Sequence, residues 1–168
     1  MIREISVNKY AEIKLKFISD LISSIKYETN YGKTKNKAKL MYLLYSFVKE
    51  TDKSNQTSVL CHQGIMEEQL QNFVLVACPS NIHEFSWFYR IIALFILYIR
   101  NRISIKTIKT ILKSICIEEM LNQNEGISGL LCVEAIFKLA IQIHVQYQSF
   151  SSEDKSYKNF IQGLENMT

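Results

Sequence analysis

Apolar residues recur along this chain at steps of three and four. From Ile2 to Ile25, the positions Ile5, Val7, Tyr10, Ile13, Phe17, Leu21 and Ile25 are separated by Arg3, Glu4, Lys9, Glu12, Lys14, Lys16 and Asp20. This is the period of a helix rather than of a strand, and it predicts an amphipathic helix of about six turns. Tyr27 to Asn36, with Gly32 inside it, reads as a loop. Leu40, Met41, Leu43, Leu44, Phe47 and Val48 predict a second helix from Lys37 to Thr51, followed by a polar break over Asp52 to Thr57. Ser58 to Gly64 carries no clear pattern. Leu70, Phe73, Val74 and Val76 predict a third helix from Glu67 to Ala77, stopped by Cys78-Pro79-Ser80-Asn81.

The longest apolar run is Ile91 to Ile99, within a helix predicted from Ile82 to Arg102 and capped by Ser80 or Asn81. A run apolar on all faces suits a central buried helix, and it is far short of the ~20 residues that span a bilayer. Ile103 to Asn122 alternates Ile105, Ile108, Ile111, Leu112, Ile115 and Ile117 with Lys106, Lys109 and Lys113, again at helical period. Gln123 to Gly126 interrupts it. Leu130, Leu131, Val133, Ile136, Phe137, Ala140, Ile141 and Ile143 predict a helix from Ser128 to Gln146. The pattern is therefore all-α: about six to eight helices around a buried central one. Residues 1–148 form the bundle, and 149–168 a polar tail with a short helix near Tyr157 to Leu164.

Composition agrees. One Pro and five Gly are too few for the turns of a sandwich or barrel, and 48% apolar residues suffice for a packed core. The net charge of +4 comes from Lys residues spread along the chain. The densest stretch, Lys33, Lys35, Lys37 and Lys39, reads as a solvated loop entering a helix. With no continuous basic groove, nucleic acid is not the expected partner, although an unrelated helical nucleic-acid or replication accessory protein has the same composition. The N-terminus lacks the pattern of a secretory leader. Cys61, Cys78, Cys116 and Cys132 form no Cys-x-x-Cys pair, lie among apolar neighbours and read as reduced core thiols.

The pattern offers little catalytic chemistry. His62, His83 and His144 have no partner at ligand spacing, and Cys61-His62 with Cys78 and His83 fits no closed zinc site. The acidic pairs Glu67-Glu68 and Glu118-Glu119 are neighbours that do not face each other on a helix and read as solvated surface. Gly126-Ile-Ser-Gly129 is too short for a phosphate loop. No enzymatic activity, cofactor or metal is expected, which leaves protein binding.

One arrangement is more specific. Trp87, followed by Arg90-Ile-Ile-Ala-Leu-Phe, resembles the first homology region of the Bcl family of apoptosis regulators, Asn-Trp-Gly-Arg before an apolar helix. Leu40 and Phe47 have the spacing of the family's Leu-x-x-x-Gly-Asp-x-Phe, and Leu40 lies 47 residues before Trp87 (87 minus 40), near the family's distance. Met120 to Gly126 roughly resembles the second homology region. The likeness covers about residues 1–145, and the Ile/Lys/Asn-rich composition suits a divergent viral member. It implies a hydrophobic groove that sequesters amphipathic helices of pro-apoptotic proteins, in the host-cell cytoplasm and peripheral to mitochondria. By the same likeness Arg90 meets a ligand carboxylate, Trp87 shapes the groove's end, and Leu40 and Phe47 pack the second helix on the core. Met41, Tyr45, Phe73 and Val74 are expected to line the groove. The sequence departs from the family where Phe88-Tyr89 stands for Gly and Leu44-Tyr45 for Gly-Asp. That bulk narrows or closes a groove. A closed-groove relative acts instead through an outer face, to inhibit innate immune signalling or to form a homodimer.

Overall fold

A computed structural model describes residues 2–32, 34–54, 63–99, 103–115, 134–141, 143 and 155–166. All regular structure among them is helical: α1 (Ile2–Asn30), α2 (Thr34–Ser54), α3 (Gln63–Ala77), α4 (Ile82–Tyr98), α5 (Ile105–Ser114), α6 (134–141) and α7 (Lys155–Glu165). None is long and apolar enough to cross a membrane. The cysteines Cys61, Cys116 and Cys132, the histidines His62 and His144, the pair Glu118-Glu119, the segment Gln123 to Gly126 and the Met120 to Gly126 match lie outside the described residues.

α4 is the centre. Eleven of its seventeen residues are buried, among them Phe85, Phe88, Tyr89, Ile91, Ile92, Phe95 and Ile96. α2 and α3 pack against it, α1 lies across α2 and α3, α5 docks on α3, and α7 docks on α5. Ile161 and Leu164 of α7 pack against the main core. The tail sequence thus contributes to the bundle, from a helix beginning two residues before the expected Tyr157.

Several expected boundaries move: α2 runs from Thr34 to Ser54 rather than Lys37 to Thr51, α3 starts at Gln63 rather than Glu67, and α5 ends at Ser114 where Ile115 turns extended, short of Asn122. Three others have visible local reasons. α1 continues five residues beyond Ile25, and the loop shrinks to a tight turn at Gly32, whose φ of +64° suits a residue without Cβ. α4 stops at Tyr98 rather than Arg102, because Ile99 turns out of helical conformation with ψ of 83°. Ser104 then opens α5 as its cap, accepting from the Thr107 N–H at 3.3 Å.

Polar contacts join the helix ends. Asn81 caps α4 through its side chain, accepting from the Glu84 N–H at 3.0 Å. Glu84 is sealed from solvent, and its Oε2 accepts from the Ser80 N–H at 2.8 Å and stands 3.4 Å from Lys37 Nζ. Lys37 also donates to the Cys78 carbonyl at 2.6 Å, and only 4% of its side chain is exposed. The expectation of a solvated lysine fails here: Lys37 is an internal tie between α2, the end of α3 and the start of α4. Cys78 corrects the expectation of a core thiol. It is exposed, with a φ of +36° where the chain leaves α3.

Glu67 is the third correction. Instead of a solvated carboxylate, it accepts hydrogen bonds from the Ser104 N–H at 3.1 Å and from the hydroxyls of Ser104 and Thr107, with Thr107 fully buried. Burial raises its carboxyl pKa, but the hydrogen bonds outweigh that and hold it below the ordinary value. The charge sits at the N-terminus of α5, where the helix dipole favours an anion.

Candidate protein-binding surface

Three of the six residues chosen from sequence are core. Met41 and Phe73 are fully buried, and Val74 is 4% exposed. They do not line an open groove. Met41, Leu44 and Val48 form the inward stripe of α2, and Leu70, Phe73, Val74 and Ala77 that of α3. The rings of Phe88 and Tyr89 occupy the same interior, with Phe88 lying 5.6 Å from Phe73 and 5.4 Å from Tyr89 between ring centres. Large apolar side chains fill this interior to solid packing.

The other three come together at the surface. Trp87 on α4 meets Tyr42 edge-on at 5.1 Å and Tyr45 at 5.5 Å, both on α2. The Arg90 guanidinium lies 5.2 Å from the Trp87 ring centre, within cation–π range. Arg90 also faces Glu134 of α6 at 3.7 Å, and Glu134 accepts from Lys138 at 2.6 Å. The Lys138 hydrogen bond and charge, with a smaller effect from Arg90, lower the Glu134 carboxyl pKa. The arginine thus holds a carboxylate of its own chain.

Beyond Tyr42 the aromatic surface continues over α2 onto α1. Leu43 is 51% exposed, and Phe47, one turn further along α2, meets Phe17 of α1 with tilted rings at 4.6 Å. Ile13 and Tyr10 extend the stripe toward the start of α1, with exposures of 59% and 51%. Lys14 closes over the Tyr10 ring at 4.3 Å. The result is a band of Trp87, Tyr45, Tyr42, Leu43, Phe47, Phe17, Ile13 and Tyr10 across three helices. The sequence places Tyr10, Ile13 and Phe17 on the inward stripe of α1. In the structure that stripe is Ala11, Ile18, Leu21, Ile22 and Ile25, and the other three face out. α1 therefore carries two apolar stripes. The signal was present, since Ala11, Ile18, Ile22 and Ile25 also recur at helical spacing.

An open cleft of about 420 Å³ lies between the end of α1 and the start of α2, lined by Ser24, Tyr27, Glu28, Asn36, Lys39 and Leu40. Among the described residues no group of three His, Cys, Asp or Glu side chains converges as a metal site does. His83 is exposed on the first turn of α4. The surface thus offers apolar contact area and cation–π partners, which are the materials of a protein interface. Comparison with protein-family models, with curated proteins and with solved structures gives no match.

Proposed function

We propose that this chain is a non-enzymatic protein-binding domain that engages its partner on the outer aromatic band of α1, α2 and α4, and not in an internal groove. One observation carries the reading. The side chains expected in a groove, Met41, Phe73 and Val74, are core, while Tyr10, Ile13, Phe17, Tyr42 and Leu43 are each about half exposed along one surface. A contiguous apolar patch of a few hundred Å² on a monomer marks an interaction site more often than a scattering of single residues does. Tyr and Trp are the residue types that dominate binding energy at interfaces. In terms of the Bcl-family resemblance this is the closed-groove form, whose outer face blocks a signalling adaptor.

A second reading keeps the ligand at Arg90. It is favoured by the cluster of Trp87, Tyr45 and Arg90, and by the carboxylate of Glu134 that Arg90 already faces. In that reading an acidic residue of an amphipathic helix from a pro-apoptotic protein displaces Glu134, and its apolar anchors enter a groove that opens on binding.

Calorimetry with a panel of amphipathic helical peptides separates the two, using the wild type, Leu43→Asp and Arg90→Ala. On the outer-band reading, any peptide bound by the wild type loses at least about tenfold in affinity with Leu43→Asp. A peptide that depends on Arg90 and is indifferent to Leu43 overturns it in favour of the groove.

A further inference from the structure

We infer that the cleft between the end of α1 and the start of α2 binds a guanine nucleotide, with Glu28 reading the base and Lys35 and Lys39 holding the phosphate. The inference does not rest on the aromatic band. Ser24, Tyr27 and Glu28 line the cleft from α1, and Asn36, Lys39 and Leu40 line it from α2. Each trio has the spacing i, i+3, i+4, so each shares one face of its helix. The tight turn at Gly32 joins the two helices. Tyr27 is 52% exposed and meets the exposed Tyr31 at 4.4 Å between ring centres, which makes a braced stacking platform. Lys35 and Lys39, one turn apart and both exposed, form a cationic rim on α2. Glu28 is half-buried, and its Oε2 is sealed with no hydrogen-bond partner among the described residues. A buried oxygen without a donor is costly, and such groups are normally paired. The carboxylate's terminal torsion is a broad two-fold rotor, so it can offer either oxygen to a ligand seated in the cleft.

These parts select a ligand. A volume of about 420 Å³ is that of a small-molecule site and exceeds what a single amino acid fills. A ring platform beside a cationic rim takes a nucleotide, with the base on the ring and the phosphate on the lysines. One nucleotide needs no continuous basic groove, so the short lysine run is enough. The carboxylate then chooses the base, because it offers two acceptors and no donor. Guanine presents two adjacent N–H donors on its pairing edge, the ring N1–H and the exocyclic amino group, which meet both oxygens in parallel. Adenine and cytosine set a ring-nitrogen acceptor beside their amino group, and uracil flanks its N–H with two carbonyls. Each of these brings a lone pair against the carboxylate. A guanidinium has the same paired donors, but Lys35 and Lys39 repel its positive charge.

Calorimetry of the full chain with the 5′-monophosphates of guanosine, adenosine, cytidine and uridine, and with guanosine itself, tests this. Guanosine monophosphate should bind with a dissociation constant below about 1 mM, and at least about tenfold more tightly than the other three. Guanosine, which lacks the phosphate, should bind more weakly, and added salt should narrow that gap. Glu28→Gln replaces one acceptor by a donor and should bring guanosine monophosphate down to the level of the adenosine nucleotide. Lys39→Glu, on the exposed rim, should weaken all four nucleotides and leave guanosine unchanged. Leu97→Asp, at a 53% exposed position on α4, should bind as the wild type does. Circular dichroism checks that each variant folds, and the wild-type ranking with Lys39→Glu keeps the test decisive if Glu28→Gln does not. A short single-stranded RNA with one guanine, beside the same strand without it, distinguishes the source. Tighter binding of the guanine strand than of the mononucleotide assigns the site to a strand, and weaker binding assigns it to the free nucleotide. No heat with guanosine monophosphate up to about 5 mM, equal affinity for the four nucleotides, or a guanine preference that survives Glu28→Gln overturns the inference. The outer-band reading stands or falls separately, on Leu43→Asp.

Discussion

Lys37 and Glu84 show how much one buried pair contributes to this bundle. Both are sealed, and their shared position joins α2 to the α3–α4 junction through the Cys78 carbonyl and the Ser80 N–H. Removing one partner leaves the other charge buried and uncompensated, which costs about 3–5 kcal/mol. Lys37→Met should therefore lower the unfolding free energy by that amount in urea titration. Lys37→Met combined with Glu84→Gln should recover a large part, because the stranded charge is gone. A loss below about 1 kcal/mol for the single variant would mean that the pair is solvated. Lys37 was legible only through phase. It lies four, seven and eleven residues before Met41, Leu44 and Val48, on the inward stripe of α2, while its neighbours Lys35 and Lys39 are exposed. The run of four lysines hides that difference, since composition alone gives them one environment. Cys78 was illegible for the opposite reason. Its apolar neighbours suggest burial, but Pro79 and the end of α3 turn it outward.

At the scale of the element, helix existence followed from the three-and-four period, whereas helix ends depended on contacts distant in sequence. The start of α5 is an example. Ser104 is a strong cap on its own, but Glu67, 37 residues earlier, completes the site from α3. No local pattern reveals such a partner, and Glu67-Glu68 reads as surface until α3 and α5 are docked. The lowered pKa of Glu67 gives this docking a pH signature. A carboxylate with a depressed folded-state pKa contributes stability above its unfolded pKa, and that contribution is lost as pH falls through the folded value. Glu67→Gln should cost about 1 kcal/mol at pH 7, the scale of a charged cap at a helix start. The difference from the wild type should shrink as pH falls below the ordinary glutamate range and vanish only once it has passed the lowered folded-state pKa, where the wild-type carboxyl is itself protonated. Urea midpoints across that range check it. A difference that persists to the acid end of that range would mean that the loss is one of packing and not of charge.

For the whole molecule, the central position of α4 could be read from the run Ile91 to Ile99, and the all-helical class from the period together with the scarcity of Pro and Gly. Of the six residues that sequence marks as a candidate site, half share one surface and half are core. Trp87, Tyr45 and Arg90 come together as chosen. Met41, Phe73 and Val74 read as groove residues because an apolar residue looks the same in sequence whether it faces a core or a partner. α1 posed the converse problem, with two apolar stripes and nothing local to say which one faces inward. Only the packing of α1 across α2 and α3 decides that, and it turns Tyr10, Ile13 and Phe17 outward. Hydroxyl-radical footprinting of the dilute full-length chain tests this most directly, because it reads side-chain exposure residue by residue and Met41 carries a readily oxidised thioether. The account predicts strong labelling of Tyr10, Phe17 and Tyr42, with Met41, Phe73 and Phe88 silent. Oxidation of Met41 and Phe88 at rates comparable to Tyr42 would show an open interior groove and contradict it.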